Sequence, residues 1–178
     1  VYKRQTLNKK ASIQTQRLTL QVISKEDTEQ LVQLLTNHEI TKTFMVPDFK
    51  TTEQITALAE TLISFSQIED VEHLAYGIYT DDWLIGFIND CDMENDTIEI
   101  GYVIHPDYQG KGYATEAVHA MIEELLKMGF RKVKAGYFEE NVASRRVMEK
   151  CGMKQLSYTD EIEYRGIVHK CFYYEAEY

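Results

Sequence analysis

Apolar positions along this chain recur with two periods, and each change of period marks an element. Arg17 to Val22 alternates apolar with polar and predicts a first strand. Ser24, with Asp27 three residues on, opens a helix that carries Leu31, Val32, Leu34 and Leu35 and fades near Asn37. Thr52 caps a second helix whose Ile55, Leu58, Ala59, Leu62 and Ile63 share one face. Thr41 to Lys50, which holds Pro47, reads as a loop between the two helices. Three strand-like runs follow, His73 to Tyr79, Trp83 to Asp90 and Thr97 to His105. Short polar turns at Asp81-Asp82 and Met93 to Asp96 make them an antiparallel meander.

From Ala114 the pattern switches to helical spacing. Ala117, Val118, Met121, Ile122 and Leu125 form the apolar stripe, and Glu116, His119, Glu123, Glu124 and Lys127 fall on the opposite side. Gly129 ends this helix, and Lys132 to Tyr137 reads as a strand parallel to the one beginning at Thr97, because a helix joins them. Asn141 or Ala143 opens a short helix that runs to Lys150 and stops at Gly152. Lys154 to Ile162 then pairs with Ile167 to Tyr174 around Tyr164-Arg165-Gly166. The predicted fold is α/β in the α+β sense: a mixed, mostly antiparallel sheet of about seven strands with helices on both faces.

At 178 residues the chain suits one domain, here residues 1–178, and no linker or repeat divides it. Apolar runs are broken by charge well before the roughly 20 residues of a membrane span, and no basic-plus-apolar leader pattern opens the sequence. The expectation is a soluble, cytoplasmic protein that uses no membrane. Cys91, Cys151 and Cys171 are odd in number and widely spaced, which fits buried thiols better than a zinc ribbon or a disulfide framework. Nor do His38, His73, His119 and His169 have ligand spacing, so no metal is expected. Lys and Arg total 19 against 29 Asp and Glu, a net charge of -10 that argues against nucleic acid and points weakly to cationic amines.

The chemistry concentrates at Gln109-Gly110-Lys111-Gly112-Tyr113-Ala114, between a strand and a helix. Two glycines let the backbone approach an anion, and the amides through Thr115 converge at a helix start whose macrodipole favours negative charge. That arrangement suits a diphosphate. A P-loop would need Gly at His105 and Ser or Thr at Gly112, and a dinucleotide fingerprint would need Gly at Thr115.

What remains, Gln-x-x-Gly-x-Ala after the strand Ile98-Glu99-Ile100-Gly101-Tyr102-Val103-Ile104, resembles the GNAT superfamily of acetyl-CoA-dependent N-acyltransferases. Asn141 to Met153 looks like the second half of the same cofactor site, and Glu-Ile-Gly-Tyr with Asn-x-x-Ser is most similar to the branch of ribosomal-protein N-terminal acetyltransferases. The resemblance implies acetyl-CoA as cosubstrate and a strand holding Tyr102, Val103 and Ile104 that splays from its parallel neighbour to admit the pantetheine arm. It further implies a diphosphate on Gln109 to Thr115, and an Asn141 that reaches the pantetheine amide, caps its helix, or does both. Gly101 fits a bulge in that strand.

An amine acceptor must lose a proton before it attacks, and Glu99 is the first base candidate, with an ion-paired surface glutamate as the alternative. His105 is a weaker one, because Pro106 beside it suggests that it shapes the turn. A backbone N–H near Val103 or Ile104 would receive the oxyanion. Relatives often place a Tyr acid seven residues after the Asn, where this chain has Met148. Ser144 then stands as the proton donor to sulfur, or as a serine bonded to its own helix. Arg145, Arg146 and Lys111 either touch the cofactor's 3′-phosphate or are solvated. Tyr164, Tyr173 and Tyr174 either line an acceptor pocket or pack.

Together these features predict acetyl transfer to a primary amine, with a protein N-terminal α-amine as the leading acceptor. A polyamine, amino acid or aminoglycoside is the rival acceptor, and a CoA sensor without turnover is the rival class. The exposed edge of the last hairpin leaves room for a homodimer.

Overall fold

The computed structural model describes residues 6–177. Their strands form one eight-stranded sheet. In chain order these are β1 (Ser12–Gln14), β2 (Thr19–Gln21), β3 (Ala75–Thr80), β4 (Trp83–Glu94), β5 (Thr97–Ile104), β6 (Lys132–Phe138), β7 (Lys154–Tyr164) and β8 (Ile167–Glu177). Their order across the sheet is β1-β2-β3-β4-β5-β6-β8-β7. Every neighbouring pair is antiparallel except β5 and β6, so the crossover between them is as the sequence predicts. The strand beyond the expected seven is β1, whose Ser-Ile-Gln is too short to show a period but pairs Ile13 with Leu20.

Helices cover both faces. On one lie α1 (Thr28–Thr36), the single turn α2 (His38–Thr41) and α3 (Thr52–Ser66); on the other lie α4 (Tyr113–Lys127) and α5 (Val142–Lys150). Leu31, Leu34 and Leu35 of α1 and Ala59, Leu62 and Ile63 of α3 bury against Phe87 and Val103 of the sheet. Ala117, Val118, Met121 and Leu125 of α4 bury against Ile98, Ile100, Ile104, Val133 and Ala135. β5 thus feeds two cores by strict alternation, and each fully buried aliphatic side chain contributes roughly 1.5–3 kcal/mol before ordering entropy is counted.

Several boundaries move for local reasons. Ser24 caps a 3₁₀ turn, Lys25–Asp27, before α1 begins. Thr51 rather than Thr52 caps α3, its Oγ1 accepting from the Gln54 N–H at 3.3 Å. The β4–β5 turn tightens to Asn95-Asp96 with Asn95 at φ 56°, which Asn tolerates. Glu124, expected on the solvent side of α4, is buried under Lys10, whose Nζ reaches it at 2.9 Å. Among the described residues no helix is long and apolar enough to cross a membrane, and no cluster of His, Cys, Asp or Glu suits a metal.

Candidate active site

β5 and β6 begin as a zipped parallel pair and then part. Their register runs Thr97↔Lys132, Ile98↔Val133 and Glu99↔Lys134 and stops there, although β5 continues to Ile104 and β6 to Phe138. β6 stays paired with β8 along its whole length, while β5 stays paired with β4. A bulge in β4 at Cys91, between the pairs Asp90↔Ile100 and Asp92↔Glu99, lies where the parting starts. Bulges bend and twist a strand. The bulge expected at Gly101 is therefore in the neighbouring strand, and Gly101 pairs in register with Asn89. Its glycine is needed for space: a Cβ there would lie 3.0 Å from Cys91 Sγ and 3.2 Å from Phe44 Cε2.

The notch exposes backbone groups. The His105 N–H donates to Ile85 O at 2.7 Å, and Val103 O lies 2.1 Å from where a Gly86 Cβ would be, so odd residues of β5 turn towards β4. Alternation leaves the N–H groups of Tyr102 and Ile104 facing the notch. Of the two amides weighed from sequence as oxyanion donors, that of Ile104 faces the notch and that of Val103 faces β4. The Ile104 carbonyl accepts from Gln109 Nε2 at 2.8 Å, so Gln109 also latches the end of the strand to the glycine turn. His105 Nδ1 accepts from the Asp107 N–H at 3.1 Å, which makes it a turn-shaping residue.

In the turn, Gly110 and Gly112 have φ 74° and 82°, the left-handed conformation that favours glycine. Gly112 precedes α4 and supplies no side-chain cap, so the amides of the first turn keep their donors for another partner. Arg17 holds the turn from behind, donating from Nη1 to Lys111 O at 2.8 Å, pairing with Glu116 at 3.1 Å and stacking on Tyr113. Burial would push the Glu116 carboxyl up, but hydrogen bonds from Thr15 and Arg17 outweigh it and hold it below the usual range. Nothing in the sequence pattern marks Arg17 for this task.

On the facing helix Asn141 does cap, its Oδ1 accepting from the Ser144 N–H at 3.2 Å while its Nδ2 donates to Thr43 Oγ1 at 3.2 Å. Ser144 Oγ lies 2.8 Å from Tyr102 Oη, which also reaches the Ser144 carbonyl at 3.2 Å. Burial raises the Tyr102 phenol above its ordinary value, so it stays protonated. Met148 is wholly buried.

A cavity of about 1130 Å³ lies at the notch and is lined from both faces of the sheet. Tyr102, Ile104, Gly110, Gly112, Tyr113, Ala114, Thr115, Asn141 and Ser144 line it towards α4 and α5, and Gly101, Val103 and Gly136 line it towards α1. Among the charged candidates, Arg146 is on the wall, whereas Arg145 pairs with Glu149 at 3.1 Å and Lys111 lies over the Tyr108 ring; neither lines the cavity. Glu99 sits at the vertex of the notch, 3.4 Å from Lys134 and also off the wall. Its burial raises the carboxyl and Lys134 opposes that rise.

The far side has a roof. Tyr164 Oη donates to Thr41 O at 2.5 Å and accepts from the Val46 N–H at 3.4 Å, tying the β7–β8 turn to the loop after α2. Tyr164 lines the cavity, whereas Tyr173 and Tyr174 turn to Asp160 and Glu149.

Known proteins share this architecture. A family model described as an acetyltransferase (GNAT) domain matches residues 17–154. YnaD, an uncharacterized N-acetyltransferase of Bacillus subtilis (strain 168), is 30% identical over 145 residues, covering 80% of this chain and 82% of its own. Two solved structures superpose at similar quality. RimL, the ribosomal L7/L12 alpha-N-protein acetyltransferase in complex with coenzyme A, has a TM-score of 0.81 at 20% identity, over 93% of this chain and 97% of its own. The microcin C7 self-immunity acetyltransferase MccE, in complex with acetyl-CoA and AMP, has a TM-score of 0.80 at 20% identity, over 96% and 98%. With its family match spanning most of the sheet and the whole glycine turn, this chain belongs to the GNAT acetyltransferases, which carry acetyl from acetyl-CoA to nitrogen.

Proposed function

We propose that the protein transfers acetyl from acetyl-CoA directly onto a primary amine, with a protein N-terminal α-amine as the leading acceptor. The observation that carries this reading is the cavity through the notch, which gives donor and acceptor separate faces of one sheet. The amides from Gly110 to Thr115 would receive the diphosphate, with Gln109 latching the strand end beside them, and the β5 backbone would receive the pantetheine arm. Asn141 orients α5 for that arm, and Arg146 and Lys150 supply positive charge on the same side.

The chain's own groups divide the chemistry. Tyr102 N–H receives charge that develops on the carbonyl oxygen as the amine attacks carbon. Glu99 takes the ammonium proton through water, since it lies off the cavity wall. Ser144 gives its hydroxyl proton to sulfur as the C–S bond breaks and regains one from solvent; its Oγ shares a hydrogen bond with Tyr102 Oη, in which either hydroxyl can donate. The likeness to RimL supports a chain-end amine. A small amine is the second reading, favoured by the equal likeness to MccE.

The test is thiol release from acetyl-CoA with Ser-initiated peptides and small amines, beside calorimetry with CoA. Binding together with acceptor-stimulated release is expected, and Ser144→Ala should slow release with little change in CoA affinity. No affinity for CoA would end the proposal.

A further inference from the structure

The acceptor side of the cavity has a charge balance unlike that of the whole chain. Its charged side chains come from α2, from the loop after β6 and from the β7–β8 turn. Lys42 pairs with Glu39 at 2.6 Å, and Glu140 shares a hydrogen bond with His169 Nδ1. Among the described residues on this wall, Glu39 and Glu140 thus each have a hydrogen-bonding partner on the wall itself. Arg165 stands outside these pairs: its guanidinium donates to Thr41 Oγ1 at 3.2 Å and lies over the Tyr164 ring at 5.0 Å, and the carboxylate it acts on electrostatically, Asp48, is held by Lys50 at 2.7 Å. A guanidinium carries five N–H donors, so one contact to Thr41 leaves a fork available.

The backbone makes a second, independent point. Tyr164↔Ile167 closes a two-residue hairpin in which Arg165 has φ 52° and Gly166 φ 77°. Such turns favour Asn-Gly or Asp-Gly. Among the described residues the other non-glycine residues with positive φ are Asp81, Asp82 and Asn95, the types that accept it, and Arg165 is the exception. A long cationic side chain is thus held at a position whose conformation selects against it, on the cavity wall, with its ring partner Tyr164 pinned by the roof.

Building on the transfer reading above, we infer that the acceptor carries an anionic group, carboxylate or phosphate, beside its amine, and that Arg165 receives it. The overall charge of -10 points to cationic amines, but on the wall that would meet them Glu39 and Glu140 are already hydrogen-bonded to Lys42 and His169, while the Arg165 guanidinium has donors to spare. Polyamines are therefore poor acceptors, and a chain end with an acidic residue next to it, or an amino acid or phosphate-bearing amine, is a good one.

The experiment uses the full chain and acetyl-CoA thiol release. Peptides beginning Ser-Asp, Ser-Asn and Ser-Lys differ in charge at one position, and phosphoethanolamine against ethanolamine tests the phosphate source. In the wild type, kcat/KM for the preferred anionic acceptor should exceed that of its neutral partner by about 10- to 100-fold, the worth of one charge-assisted contact. Arg165→Asn suits the turn, so its Tm should equal or exceed the wild-type value while that ratio falls towards one. Arg165→Lys should restore part of it. Equal rates for anionic, neutral and cationic acceptors, or a ratio that survives Arg165→Asn, would overturn the assignment and leave the transfer reading intact. Silence with every acceptor would remove the transfer reading itself, and this inference with it.

Discussion

Glu99 shows how one residue can carry opposing demands. Its burial disfavours charge, and Lys134 beside it favours charge; the net shift is upward. A base works in its deprotonated form, so the rate should rise with pH through a value above the ordinary glutamate pKa of about 4.3 and level off beyond it. Glu99→Gln should abolish that acidic limb and slow transfer by roughly a hundredfold to ten-thousandfold. A pH–rate profile with the limb unchanged would remove Glu99 from the role. The same upward shift has a stability side with the opposite sense: a carboxyl that is harder to ionise when folded destabilises the fold above its unfolded pKa, and protonation relieves it as pH falls. At this scale sequence reasoning reached unevenly. Asn141 as a cap was legible, because a cap needs residues three apart. Ser144 and Tyr102 are 42 residues apart, and no local pattern shows that their hydroxyls meet. Glu124 looked solvent-facing by its helical phase, and a lysine from the N-terminal segment buries it.

At the scale of elements, the strand–turn–helix unit from β5 to α4 was legible because periodicity and glycine punctuation agree there. The start of the notch was misplaced by one strand. A glycine inside β5 suggested the bulge, yet glycine also answers a shortage of space, and Cys91 in the neighbouring strand is an ordinary residue in an irregular place. The turn itself offers a direct test. Ala at position 112 must hold a left-handed backbone, which costs about 1–2 kcal/mol, and its Cβ would stand 3.3 Å from Arg17 Nη2. Relaxing that strain moves the amides, so Gly112→Ala should weaken CoA binding by roughly 5- to 30-fold. Calorimetry that finds no loss would show that those amides are not where the diphosphate binds.

The whole molecule places two cores on either side of one sheet, and that much follows from composition and pattern: the alternation of β5 requires helices on both faces. Net charge proved a weaker guide. It sums over the whole surface, whereas on the acceptor wall Glu39 and Glu140 are bonded to Lys42 and His169 and the Arg165 guanidinium stays outside those pairs. The passage through the sheet has a further kinetic meaning. If each face of its lining receives one substrate, as proposed above, the first need not leave before the second arrives. Among the described residues no cysteine lines the passage, and burial pushes the Cys151 thiol up to about 11, so no thiol on its wall stands ready to store the acyl group between half-reactions. Double-reciprocal plots at several fixed acceptor concentrations should therefore intersect rather than run parallel: a ternary complex, not ping-pong turnover, is what an aperture with two sides permits.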